Sequence, residues 1–144
     1  MPVEKISTML RFSAVSVLVL TIPSFCFALE EIEFVSRERA KELGLVIQWN
    51  SAGPDAVRVV LDFETKGELK NYTRVELSMH EGDKLLMSST LKEEEAKPGH
   101  IVVSFAAERK KLPQIELKIV VGQLDGRVGH VIPVKDFVDL EKAR

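Results

Sequence analysis

A chain of 144 residues suffices for one ordinary domain, and its formal charge of −2, from 20 basic and 22 acidic side chains, gives no electrostatic footprint for nucleic acid. The only cysteine, Cys26, lies in an apolar N-terminal stretch, so a disulfide framework is excluded for the rest of the chain.

Residues 1–28 read as a secretory signal peptide. Lys5 and Arg11, diluted by Glu4, precede a largely apolar run from Phe12 to Phe25 that is short for a bilayer span. Cys26-Phe27-Ala28 then places small side chains three and one residues before Leu29, as signal peptidase requires. Cleavage there removes Cys26 and leaves residues 29–144 as a cysteine-free chain with a formal charge near −3. Such an export product suits a bacterial periplasm or an extracellular location, with no membrane span after cleavage.

From Leu29 onward the signal is alternation. Ile32 and Phe34 alternate with Glu31, Glu33 and Val35, which predicts a first strand; Glu38–Glu42 is one helical turn or a charged connection. Leu45, Ile47 and Trp49 alternate with Val46, Gln48 and Asn50. After a loop containing Gly53-Pro54, Val57, Val59, Leu61 and Phe63 form the clearest inward row. Val75, Leu77 and Met79 form the next, and Glu81-Gly82-Asp83 turns the chain into a strand over 84–91. A charged loop, Lys92–Gly99, leads to Ile101, Val103 and Phe105. The strand at Gln114–Leu124 places Ile115, Leu117, Ile119 and Val121 on one side and Glu116 and Lys118 on the other. Asp125-Gly126 turns into a last strand, Val128–Val134, and Phe137, Val138 and Leu140 dock the tail.

Seven to eight short strands without a long helix predict an all-β, antiparallel β-sandwich as a single domain over 29–144. A lone tryptophan, Trp49, closing an early strand before a loop and a second strong strand is similar to fibronectin type III and other immunoglobulin-like modules at the level of fold. The tyrosine usual near the counterpart of Gln114–Leu124 is missing. Trp49, Leu61, Phe63, Phe105, Leu117 and Ile119 are the expected core.

No motif points to catalysis or to a cofactor. Ser88-Ser89-Thr90 lacks nucleophile-elbow glycines, and no phosphate-cradling loop is present. His80 and His100 alternate outward, whereas His130 shares a face with Val128, Ile132 and Val134. Met79, His80, Met87 and His100 are the side chains that a periplasmic copper-binding protein would use, although their spacing matches no metal motif. Glu93-Glu94-Glu95 lacks the spacing of a calcium loop, and Asn71-Tyr72-Thr73 has the form of a glycosylation acceptor that reads as a polar turn.

The remaining irregularity is four valines on the outward side of their strands: Val46, Val60, Val102 and Val120. An immunoglobulin-like order is expected to set Val46 beside Val102 on one sheet and Val60 beside Val120 on the other. They mark a candidate partner surface on an exported, non-enzymatic module for protein–protein or envelope-assembly contacts. The alternatives are the copper-binding protein and, behind it, a small secreted enzyme whose site assembles in space. N-terminal sequencing of the exported protein is expected to begin at Leu29; a mature chain that keeps Met1–Ala28 would contradict the signal-peptide assignment.

Overall fold

The computed structural model describes residues 29–142; the signal peptide expected over 1–28 lies outside them. Among the described residues no helix is long and apolar enough to cross a membrane.

Eight strands form two sheets. One has the order β1 (Glu30–Phe34), β8 (Gly126–Pro133), β7 (Ile115–Gln123), β4 (Tyr72–Glu81) and β5 (Lys84–Thr90); the other has β2 (Val46–Ser51), β3 (Ala56–Glu64) and β6 (His100–Glu108). β3 and β6 pair although 35 residues separate them, so the chain crosses between the sheets in the Greek-key manner of an immunoglobulin-like sandwich. One pairing departs from the expected antiparallel pattern. β1 runs parallel to β8, from Glu30 opposite Arg127 to Phe34 opposite Val131.

The inward rows meet between the sheets. Val57, Val59, Leu61 and Phe63 of β3 are buried against Ile115, Leu117, Ile119 and Val121 of β7, with Val75, Leu77 and Val103 in the same cluster. Each large aliphatic or aromatic side chain removed from water this way contributes roughly 1.5–3 kcal/mol, which makes this layer the main source of stability. Phe63 meets Tyr72 edge to face at a ring separation of 5.3 Å. Trp49 and Phe105, expected in the core, pack against it and are partly rather than fully buried. Each lies on a strand at the edge of the three-stranded sheet, where the opposite sheet covers only part of the side chain.

The charged connection after β1 is a short helix, α1 (Arg37–Glu42), capped by the Ser36 hydroxyl, which accepts from the Arg39 N–H at 3.1 Å. The charged turn after β6 is a 3₁₀ helix, Arg109–Gln114. At the start of β8, Gly126 has φ +154°, and a Cβ there would lie 2.5 Å from the Leu29 carbonyl oxygen. Only glycine lets β1 begin against that turn.

Candidate functional site

The wider sheet has two more strands than its partner, and its two ends are finished differently. At the β1 end the inward residues are polar. β1 lays Glu31 and Glu33 beside Val128 and His130 of β8. His130 is only 3% exposed, and its Nδ1 donates to Glu33 Oε2 at 2.6 Å. Arg39 of α1 reaches the same carboxylate, Nε to Oε1 at 2.7 Å, and also pairs with Glu68 and Glu42. The hydrogen bond from Arg39, aided by His130, holds the Glu33 carboxyl below the usual carboxylate range despite its partial burial. Glu33 and then Glu68 raise the pKa of Arg39 further.

This cluster lines a cavity of about 450 Å³. Donor atoms of Glu33, Glu68 and His130 lie within 4.8 Å of one another, a spacing that suits a metal ion. The positive charge between the two carboxylates is already the Arg39 guanidinium, however, and a divalent ion would have to displace it. The cluster therefore reads as an internal tie between β1, α1 and β8. His130 was legible on the inward face of its strand. Glu33 is 97 residues away, and its only sequence signal was an acidic row alternating with Ile32 and Phe34.

The other candidates separate in space. His80 lies on β4 in the five-stranded sheet and His100 on β6 in the three-stranded sheet, each on the outer face of its own sheet. The copper set is thus not assembled: Met79 and Met87 are register partners, but His100 is held by Asp62 at 3.2 Å on the far side of the sandwich. His80 sits with Ser78 Oγ at 3.1 Å and Glu116 at 3.6 Å, which superficially resembles a triad. Both groups approach the same nitrogen, Nε2. A relay needs the hydroxyl and the carboxylate on opposite ring nitrogens, so this arrangement orients the ring rather than activating the serine. In the acidic run, Glu93 accepts from the Tyr72 hydroxyl at 2.9 Å and Glu94 pairs with Arg58 at 2.9 Å, so the two do not converge on a common ion.

The four valines do not form one surface. Val46 and Val102 both lie opposite Asp62 and therefore flank β3 rather than each other; Val60 is two residues along on the same outer face. Val120 is in the other sheet and fully buried, which corrects the expectation that it stands exposed beside Val60. Its register partners are Arg74 on β4 and Gly129 on β8. Because Gly129 has no side chain, Lys118 reaches across it to Glu30 at 3.0 Å while also pairing with Glu76 at 2.9 Å. Burial works against the charge on Lys118, but Glu76 and Glu30 outweigh it and raise the pKa. This bridge, with Ile32 beside it, roofs the sheet where alternation left Val120 facing out.

Beyond that bridge the outer face of the five-stranded sheet opens into a groove of about 280 Å³ running from β1 to β5. Ile32, Phe34, Val131 and Leu85 supply its apolar walls, and Glu76, Glu116, Lys118 and His80 its polar floor. Phe34 is 68% and Leu85 54% exposed. A β-bulge gives β5 one extra residue: Met87 pairs with Met79 but Leu85 with His80, so Leu86 has no partner. The bulge turns Leu85 to the groove and leaves Leu86 and Met87 exposed along the edge. Comparison with protein-family models and with curated proteins finds no match to this chain.

Glu33→Gln removes a carboxylate whose folded pKa is depressed, so the stability it supplies exists above the ordinary carboxylate pKa and vanishes as pH falls through the folded value. At neutral pH the variant is expected to be less stable by about 1 kcal/mol, the scale of a half-exposed charge-assisted hydrogen bond. That gap should close as denaturant melts are moved to acid; a gap constant with pH would separate Glu33 from the acid response.

Proposed function

We propose that the chain is an exported, non-enzymatic β-sandwich module that binds a protein partner, in the periplasm or outside the cell, through the outer face of its five-stranded sheet. The observation that supports this reading is where the exposed apolar side chains gather. Ile32 and Phe34 on β1 and Leu85 on β5 wall one groove, and all three are exposed large apolar side chains. Contiguous apolar surface rimmed by polar groups is the usual mark of a protein contact.

The floor of the groove is already neutralised from within. Lys118 is held by Glu30 and Glu76, and Glu76 also accepts from Arg74 at 2.7 Å. Burial pushes the Glu76 carboxyl up, but Lys118 and Arg74 outweigh it and its pKa is lowered. A partner therefore meets a fixed polar floor between apolar walls, and its affinity rests on the walls. The opposite outer face suits this role less well. Between Val46, Val60 and Val102 stand Asp62 and His100, and Arg58, Glu94 and Ser104 bond to one another nearby.

The test is capture of partners from the native envelope fraction on the wild-type protein and on a Phe34→Lys, Leu85→Lys double variant. Both side chains face solvent, so the variant should fold with a stability change below about 0.5 kcal/mol. Capture should fall at least about tenfold, as expected when apolar contacts at the centre of an interface are lost. Undiminished capture by the double variant, with loss in a Val46→Lys, Val102→Lys variant, would move the binding surface to the three-stranded sheet.

A further inference from the structure

A cleft of about 690 Å³ lies at one end of the sandwich, away from the groove. Asp55 borders it from the start of β3, Glu108, Arg109, Lys110 and Pro113 from the end of β6 and the following 3₁₀ helix, and Leu140 from the tail. The backbone ties these segments together, with the Arg109 N–H donating to the Asp55 carbonyl at 2.8 Å.

Arg109 is conspicuous for the bonds it does not make. Among the described residues Arg37, Arg39, Arg58 and Arg74 each donate to a protein acceptor, whereas Arg127 and Arg109 have no ion pair; Arg127 is exposed, but the Arg109 Nε is buried without a hydrogen-bond partner. The Nε itself is out of reach of solvent, so a carboxylate entering the cleft meets the terminal Nη groups, whose planar fork matches it. Asp55 lines the same cleft but does not neutralise Arg109, since no ion pair joins them. Glu108 is occupied as well: Lys110 holds it at 3.1 Å and Lys111 at 3.5 Å. The cleft thus offers one free cationic fork, one free carboxylate and two apolar contacts, Pro113 and Leu140.

We infer that this cleft binds the free carboxyl-terminal residue of a polypeptide. Its α-carboxylate sits on the Arg109 guanidinium, its amide N–H donates to the Asp55 carboxylate, and its side chain packs on Pro113 and Leu140. The three features of a chain terminus match the three kinds of lining group, whereas a bare inorganic anion would leave Asp55 and the apolar wall unused. A free N-acylated amino acid shares this chemistry, and the comparison of probes below separates it from a chain end.

The test follows the Arg109 Nε–H resonance by NMR on the exported full chain at neutral pH. N-acetyl-leucine is expected to shift that resonance saturably, and N-acetyl-leucine amide, which lacks the carboxylate, is not. A peptide ending in free leucine that binds at least about tenfold tighter than N-acetyl-leucine identifies the occupant as a chain terminus; equal affinity identifies the free acid, and either result supports the carboxylate fork. Arg109→Lys keeps the charge but loses the fork and should weaken binding at least about tenfold, read from the backbone amides of residues 109–112. Asp55→Ala should weaken N-acetyl-leucine but leave isovalerate, which has no N–H, unchanged. Equal shifts from the amide, from chloride at matched ionic strength, or in the Arg109→Lys variant would overturn the assignment.

Discussion

The contact between His130, Glu33 and Arg39 is the constraint on which the rest of this sandwich depends. A sheet of five strands facing one of three cannot be covered along its whole inner surface. At the β1 end the uncovered strip holds an imidazole on an otherwise apolar row, and burying it unpartnered would cost more than the packing of one strand returns. Glu33 supplies the acceptor, Arg39 supplies the countercharge, and α1 carries Arg39 into place. Each group makes the next acceptable, so β1, α1 and β8 behave as one unit.

The outer side of the same strands repeats the device in solvent. Lys118 crosses over Gly129 to join β7 to Glu30 of β1, and the space it needs exists because β8 has a glycine there. β1 is consequently pinned from both faces, by His130 within and by Lys118 outside. A parallel edge strand of five residues has little hold of its own. Its position sets the shape of the groove, because Ile32 and Phe34 form one wall of it. The opposite wall, Leu85, is set by the bulge in β5, so both walls depend on edge features rather than on the central core.

Alternation read from sequence located the strands and the inward rows of β3 and β7, because those residues are covered on one side by a full opposing sheet. It failed where coverage is not one-sided. Val120 alternates outward and is still buried, since the stem of Lys118 on its own strand and Ile32 from β1 close over the neighbouring Gly129, and a period of two reports two faces without saying what lies above either. Trp49 and Phe105 alternate inward but sit on edge strands. The facing of Leu85 depends on Leu86 being an extra residue, which shifts the period within β5. Of the polar cluster, the inward position of His130 was legible, while Glu33, Arg39 and Glu68 come together only through the parallel pairing of β1 and the placement of α1. The orphaned Arg109 left no mark in sequence, because an arginine after a strand is ordinary until its lack of partners is seen.

The central claim is that a polar cluster, rather than apolar packing, holds β1 and α1 on the sandwich. Residue-resolved native-state hydrogen exchange on the wild type and Arg39→Leu tests it directly. Exchange should accelerate at least about tenfold for the amides that tie β1 to β8, including Val35, which donates to the Val131 carbonyl at 2.8 Å, while β3 and β6 keep their protection. Equal acceleration across both sheets, or none at Val35, would contradict the claim.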